Sequence, residues 1–300
     1  MTKIVVTSGQ PFTDIDALAC AVSYSELLRV EGKDSQAILP GPLNKTITKE
    51  IKSWKLNYST KSNSEDPNCV LVDISDPEYF ANFVNEKNIV ELFDHRYDFE
   101  NYWKERLGKN SHIEMVGACA TLIFEEFAER VNPLKISRVS ANLLSTAIIS
   151  NTLNFKASVT KNRDINAYEK LKRFTNLPKD WVKIYFTDQD RETDLDIRNS
   201  LINDTKNLEP IIGQLELWDS KSVILKHLSE IEEALLSFGR PSWFLTAPSI
   251  SEEKNYFYAK SPEIKNLLEK TIGAKFNGDI GTTDKLWLRK EIFNKLLFMI

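Results

Sequence analysis

From Lys3 to Phe174, short β-branched runs alternate with stretches of helical periodicity, and that alternation restricts the possible folds more than any other feature of the chain. Lys3–Ser8, Ser35–Leu39, Cys69–Asp73 and Ile89–Asp94 read as strands, with helical patterns between them at Ala17–Val30, Leu43–Trp54 and Pro77–Asn85. Parallel strands need a crossover of about a dozen residues or more, usually a helix. The expected fold class is therefore α/β, with a parallel sheet covered by helices on both faces. After Asp94 the chain turns mostly helical, at Gly117–Glu129, Ile136–Ser150 and Thr160–Phe174, each with apolar residues at i, i+3, i+4 spacing.

The stretch Tyr185–Asp194, YFTDQDRETD, is polar and lacks apolar periodicity, so it reads as the boundary between a first domain of residues 1–187 and a smaller mixed α/β domain of residues 188–300. In the second domain Ile211–Trp218, Ser242–Thr246 and Asn255–Ala259 read as strands, and Ser222–Phe238 and Pro262–Ile272 as helices.

Composition excludes several function classes. A chain of 300 residues with 42% hydrophobic and 27% charged residues has core enough for two globular domains. Its net charge of −4 supplies no basic field for a nucleic-acid backbone, so no nucleic-acid partner is expected. No apolar run approaches the ~18–20 residues that span a bilayer, and the opening MTKIVVTSG is too short for a signal-peptide core, so no membrane partner is expected either. Cys20, Cys69 and Cys119 are odd in number and set in apolar sequence, and they read as buried free thiols of a cytoplasmic protein.

In an open parallel sheet, ligands gather beyond the carboxyl ends of the strands. The first strand runs through Ser8-Gly9-Gln10-Pro11-Phe12-Thr13 into Asp14-Ile15-Asp16, which places both acids at the N-terminus of the first helix; either alone reads as an ordinary cap. The run Cys69–Val72 ends in Asp73, and Ile89–Phe93 ends in Asp94-His95-Arg96. The fold rule puts all four acids on one edge, where they repel one another unless a cation lies among them. Hard divalent ions take oxygen ligands, Mn²⁺ also accepts imidazole, and two ions can share a bridging carboxylate. Of the three histidines His95 is the one in this company, while His112 and His227 read as structural or surface residues.

Asp-x-Asp after the first strand, Asp after an apolar strand and Asp-His-Arg after the next together resemble the DHH phosphoesterase superfamily. Within it the likeness is to the family II (manganese-dependent) inorganic pyrophosphatases and their exopolyphosphatase and prune relatives. Gly41-Pro42-Leu43-Asn44, the segment Glu114 to Thr121, the run Leu144 to Lys156, and Thr160, Asp164 and Ala167 are similar to further motifs of that family. In the second domain Asp204-Thr205-Lys206, Ile212-Gly213-Gln214-Leu215-Glu216 and Arg289-Lys290 are similar to its Asp-x-Lys, Ile-Gly-Gln-Val-Glu and Ser-Arg-Lys elements.

The resemblance implies a DHH domain followed by a C-terminal substrate-binding domain, with the active site in the cleft between them. It implies hydrolysis of phosphoanhydride bonds in pyrophosphate or short-chain polyphosphate, with metal-bound hydroxide as nucleophile and one or two Mn²⁺ or Mg²⁺ ions as cofactors. The metal ligands so implied are Asp14, Asp16, Asp73 and His95, with Gln10 and Asn151 as neutral oxygen donors and Asp73 bridging. Asp73, Asp94 and His95 form the implied catalytic set, and Arg96, Lys206, Arg289 and Lys290 bind phosphate. Homodimerisation through an edge strand is also implied.

The chain departs from the family pattern at Gln10, where the family has a metal-binding histidine, at Asn151, where it has an aspartate, and at Leu288, which replaces the serine before Arg-Lys. Arg96 as third residue of the Asp-His-His triplet resembles prune. The changes at Gln10 and Asn151 weaken the donors available to metal. They leave open a second reading, a degenerate relative that is weakly active or that binds a phosphate ligand or partner without turnover.

Overall fold

The computed structural model describes residues 3–297, apart from 64–65, 97, 204 and 206–208. Its contacts divide the chain into two compact units, one of residues 1–155 and 159–179, the other of residues 156–158 and 180–300. The division falls at Lys179/Asp180, ahead of the boundary expected at 187/188. The polar stretch Tyr185–Asp194 is not a linker but part of a helix whose inner face is Trp181, Tyr185, Phe186, Gln189 and Thr193. Two of those inward positions are polar, which hides the helical period from a reading based on apolar residues alone.

The first unit contains β1 (Ile4–Thr7), α1 (Ile15–Val30), β2 (Ser35–Ile38), α2 (Lys49–Lys52), β3 (Tyr58–Ser59), β4 (Asn68–Val72), β5 (Ile89–Asp94), α3 (Glu100–Leu107), β6 (Ser111–Ile113), α4 (Cys119–Arg130), α5 (Arg138–Asn151) and α6 (Asn162–Leu171). The six strands form one parallel sheet in the order β3-β2-β1-β4-β5-β6, as the alternating pattern requires. From β1 the chain builds outward to β2 and β3, then returns to add β4 on the other side of β1. That reversal makes the β1/β4 edge the topological switch point where a ligand crevice opens.

One face of the sheet is covered around Val5, Cys69, Leu71, Leu92 and the fully buried Trp103, whose Nε1–H donates to Ser75 O at 2.7 Å. Helix α1 is buried almost all round because it packs along both α4 and α5. Its run of Ala17, Ala19, Cys20 and Ala21 keeps the side chains small enough for that double contact. All three cysteines are buried and free.

Two expected helices shrink. Within Leu43–Trp54 only α2 is helical, because Asn44 Oδ1 takes the Thr46 N–H and hydroxyl and holds the preceding segment as a turn. Within Pro77–Asn85 a single tight turn forms at Pro77–Tyr79, capped by Asp76 and ended by an extended Phe80. Helix α3 and the short strand β6 go unanticipated.

The second unit contains α7 (Trp181–Leu195), α8 (Ile197–Ile202), β7 (Ile211–Gln214), α9 (Ser220–Lys226), α10 (Leu228–Leu236), β8 (Trp243–Ser249), β9 (Lys254–Tyr258), α11 (Pro262–Ile272), β10 (Lys275–Asn277), β11 (Ile280–Thr283) and α12 (Arg289–Leu297). Its sheet runs β10-β11-β9-β8-β7, parallel between β7 and β8 and antiparallel elsewhere. The mixed α/β expectation holds, with a core on each face of this sheet. The expected strand Ile211–Trp218 stops at Gln214, and the expected helix Ser222–Phe238 breaks at His227, whose φ of −122° and ψ of 28° leave the helical region. No helix among the described residues is long and apolar enough to cross a membrane.

Candidate functional site

The loop from Gln10 to Asp16 is fixed by the segment Gly41–Thr46. Thr13 N–H donates to Pro42 O at 2.8 Å, Asn44 N–H returns a bond to Thr13 O at 2.9 Å, and Ile15 N–H, at the first turn of α1, donates to Thr46 Oγ1 at 2.8 Å. A side chain at Gly41 would stand 2.9 Å from both Gln10 O and Phe12 C, so only glycine allows this approach.

The two acids of that loop then act on different helices. Asp14 caps α1, its Oδ1 accepting from Ala17 N–H at 2.9 Å. Asp16 caps α4 instead: its Oδ2 accepts from Cys119 N–H and its Oδ1 from Ala120 N–H, both at 2.9 Å. The residue at the α4 N-cap position is Ala118, which has no side chain to do this, so the carboxylate comes from α1.

Asp73 follows β4 with φ of +54°, a left-handed conformation uncommon outside glycine and tolerated best by Asp and Asn. Its N–H still pairs with Phe93 O at 2.8 Å, so the strand pairing to β5 carries the turn. Backbone strain of this kind costs about 1–3 kcal/mol and concentrates at functional sites.

Asp94 is buried at the end of β5, and its Oδ1 accepts from His95 N–H at 2.7 Å and from Arg96 Nε at 3.1 Å. The same guanidinium reaches Asp73, donating through Nη2 to Oδ1 at 2.8 Å and to the backbone oxygen. His95 lies with Nδ1 3.3 Å from Val116 O and Nε2 3.5 Å from Asp73 Oδ1. Donation from Nδ1 to that carbonyl leaves Nε2 with the lone pair, the tautomer of a metal-ligating histidine.

One ligand atom each from Asp16, Asp73 and His95 lie within 4.8 Å of one another. Slight closing of the side chains brings them to the ~4 Å that separates opposite ligands on a small divalent ion. Burial distinguishes this trio from a solvated acidic patch: Asp16 is fully buried and Asp73 is 6% exposed.

The electrostatics point the same way. Burial pushes Asp16 up to about 7, with the charge of Asp14 adding, against the bonds from Ala120 and Cys119. Burial also pushes Asp73 well above the carboxylate range, with Arg96 opposing and the charges of Asp14, Asp16 and Asp94 adding. Burial works against ionised Asp94 as well, but the charges of Arg96 and His95 and hydrogen bonds from Ser75 and Arg96 together outweigh it and hold that carboxyl below its ordinary value. Burial opposes the charge on Arg96, and Asp94 and Asp73 more than compensate. Asp73 therefore faces an imidazole lone pair and three neighbouring acids with a single guanidinium in reach, a donor set that fits a divalent cation.

Of the expected ligands, then, the structure brings together Asp16, Asp73 and His95, and Asp14 acts on the two acids through its charge. Gln10 is exposed and lines a shallow depression with Pro11, Glu78, Tyr79, Phe80 and Asn82, to which Asp14, Asp16, Asp73 and Asp94 do not contribute. Asn151, half-buried, ends α5 and turns its Nδ2 onto Ala147 O at 3.3 Å, which leaves its oxygen as the atom a cation would use. Arg289 and Lys290 open α12, where the Arg289 N–H donates to Gln214 Oε1 and Gln214 Nε2 donates to Glu216 Oε1 at 2.9 Å. The strand motif and the Arg-Lys motif of the second unit thus meet. Lys206 lies outside the described residues.

Sequence reasoning missed the support behind His95. Asp164, fully buried on α6, accepts from Gly117 N–H at 2.8 Å, Lys161 N–H at 2.7 Å and Thr121 Oγ1 at 2.6 Å, and so pins the turn that carries the Val116 carbonyl. A Cβ at Gly117 would stand 2.6 Å from Thr152 Cγ2 and 2.8 Å from Asp164 Oδ2. The signal was present as the pairing of Val116-Gly117 with Thr160 and Asp164, but only as motif matches without a role.

No protein-family model matches the chain. In overall fold it matches a crystal structure of a Methanococcus jannaschii protein described as a family II inorganic pyrophosphatase, with a TM-score of 0.71, 18% identity and 98% of both chains covered. An exopolyphosphatase-related protein from Bacteroides fragilis matches with a TM-score of 0.52, 14% identity and coverage of 99% of this chain and 92% of that one. The fold is thus shared with these two proteins.

In sequence the chain is similar to two proteins named as manganese-dependent inorganic pyrophosphatases. One, from Listeria welshimeri, is 31% identical over 181 residues, covering 57% of this chain and 55% of that protein. The other, from Bacillus mycoides, is 25% identical over 251 residues, covering 78% and 77%. The chain spans about half the length of the first of these relatives.

Proposed function

We propose that the protein is a metal-dependent phosphohydrolase that cleaves the phosphoanhydride bond of pyrophosphate or a short-chain polyphosphate, with Mn²⁺ or Mg²⁺ held by Asp16, Asp73 and His95. The observation that carries this reading is the convergence, within 4.8 Å, of two buried carboxylates and an imidazole whose other nitrogen is already bonded to Val116 O. The relatives named as manganese-dependent pyrophosphatases support the substrate class and favour Mn²⁺.

A bound ion supplies Lewis acidity to a phosphate oxygen and lowers the pKa of a coordinated water. The chain's own residues do the rest. Asp16 is held by the α4 amides and Asp73 by its strained turn, so both present oxygens without reorganising. Asp94 holds the Arg96 guanidinium through Nε, which leaves the Nη1 amino group to take a phosphate oxygen. Asp14 adds negative charge that favours the cation, and Asn151 and Gln10 stand as neutral donors. Lys206, Arg289 and Lys290 supply cations for the phosphates in the second unit. A cytoplasmic setting, and a homodimer without nucleic-acid or membrane partners, go with this reading.

The test is phosphate release from pyrophosphate and tripolyphosphate with Mn²⁺, Mg²⁺ or Co²⁺, measured colorimetrically beside an Asp73→Ala control. Release well above that control with at least one metal is the expected result, and none with any metal sinks the hydrolase. A second reading, ligand binding without turnover, is favoured by one observation, the neutral Asn151 in place of an acid. Mn²⁺ binding without phosphate release in the same assay would select it.

A further inference from the structure

We propose that the Arg96 guanidinium takes the place of a second cation in this site, so that the Asp16–Asp73–His95 centre accepts a single divalent ion. The inference rests on the proposed metal site and specifies its occupancy.

The geometry begins at Asp73. A carboxylate that bridges two ions gives one oxygen to each. Here Oδ1 is in a 2.8 Å bond from Arg96 Nη2, and the same nitrogen donates to the Asp73 backbone oxygen. Arg96 Nε meanwhile bonds Asp94 Oδ1 at 3.1 Å. One guanidinium thus links the two strand-end acids through Nε and Nη2, as a shared second ion would. Asp73 keeps Oδ2 for one ion.

Charge leads to the same count. Three fully or nearly fully buried carboxylates, Asp16, Asp73 and Asp94, are balanced by one guanidinium together with one divalent ion. Asp14, the fourth acid, is half-buried and its charge also reaches Asp16 and Asp73, but one more negative charge does not balance a second divalent ion. A second divalent ion would leave an excess of positive charge in a buried site. The residue that ends α5, where the family resemblance implies a further carboxylate, is the uncharged Asn151. The Arg96 side chain is 39% exposed, yet the three bonds fix its orientation toward the acids.

The test is Mn²⁺ titration of the full-length wild-type protein and of the Arg96→Gln and Arg96→Lys variants. Stoichiometry is read by calorimetry, and the spin state of bound Mn²⁺ by electron paramagnetic resonance. The expected result is one Mn²⁺ per wild-type chain with the spectrum of an isolated ion, one in Arg96→Lys, and two in Arg96→Gln. Two ions in the wild type, or a spin-coupled pair at saturating Mn²⁺, overturns the inference and leaves the metal site standing. A single ion in a folded Arg96→Gln variant also overturns it. No Mn²⁺ bound by the wild type overturns the metal-site reading itself. The wild-type spectrum decides between one ion and a pair even where the glutamine variant does not fold.

Discussion

The two units each contain an aspartate that faces a histidine and a basic side chain. In the second unit Asp194 meets His227 Nε2 at 2.7 Å and Lys226 Nζ at 2.7 Å, close to solvent, and its carboxyl is held below the ordinary value by Lys226 and then His227. In the first unit Asp73 meets His95 Nε2 at 3.5 Å and Arg96 Nη2 at 2.8 Å, but it is buried, and burial pushes its carboxyl up despite the guanidinium. The functional groups are nearly the same, and access to water separates them. Near solvent the trio is a complete ion pair that needs nothing more. Buried among Asp14, Asp16 and Asp94, it is short of positive charge, which is what the proposed cation would supply, whereas the Asp194 trio is a surface cluster.

The largest expected effect breaks the comparison directly. Asp73→Asn should lower metal-dependent phosphate release by more than the ~10²-fold that supporting partners of a metal ligand typically cost, whereas Asp194→Asn should leave release unchanged. Equal losses in both variants, in the same phosphate assay, would remove the distinction.

The next effect is on stability. An ion that binds only the folded chain stabilises it by about 2.7 kcal/mol at a hundred times its dissociation constant. Mn²⁺ should therefore raise the Tm of the wild type and of Asp194→Asn by several degrees in scanning calorimetry, and excess chelator should reverse the rise. Asp16→Asn and Asp73→Asn should lose most of it.

Asn151→Asp returns a carboxylate to the end of α5. It should tighten Mn²⁺ binding about tenfold, or ~1.4 kcal/mol, by calorimetric titration, and the corresponding change at an exposed second-unit residue, Asn199→Asp, should not.

How much of this was legible follows from how locally each feature is written. Strands β1 and β4 stand out because a parallel strand buried on both faces reads as a near-continuous apolar run, and at the ends of β4 and β5 an acid breaks the pattern abruptly. Helix α11 was read to the residue because Ser261, Pro262 and Gly273 sit at its two ends as cap, first-turn residue and stop. The segments Leu43–Trp54 and Pro77–Asn85 were misread because side-chain bonds from Asn44 and Asp76 win over the helical pattern around them. The strand-end acids could be gathered by the fold rule alone. That Asp14 caps its own helix was legible; what could not be read is that Asp16 caps another, or that Arg96 turns back onto Asp73. Bonds across 103 and 23 residues leave no trace in local spacing.

The smallest effect sharpens the comparison within the second unit. Asp190 accepts from Trp218 N–H at 2.7 Å and Asp219 N–H at 3.0 Å, yet burial raises its carboxyl to about 6. A raised acid keeps its proton in the folded chain where the unfolded chain has lost it. Its contribution therefore favours folding below about pH 4 and is lost as pH rises through 6. The stability difference between Asp190→Asn and wild type should shift in favour of the variant by about 1 kcal/mol between pH 5 and pH 7.5, as read by urea unfolding. A difference that does not change with pH would show that burial alone does not separate the two regions.

The bond from Asp16 to the start of α4 also governs how the chain comes to fold. The first turn of α4 has no cap of its own, so its amides wait for a carboxylate 103 residues upstream, and closing so long a loop is slow relative to forming either helix. During synthesis Asp16, Asp73 and His95 all emerge before Cys119. The growing chain therefore carries the Asp16, Asp73 and His95 side chains of the proposed centre well before it carries the amides that hold the first of them in place, and Asp16 is fixed only once α4 has been made and docked.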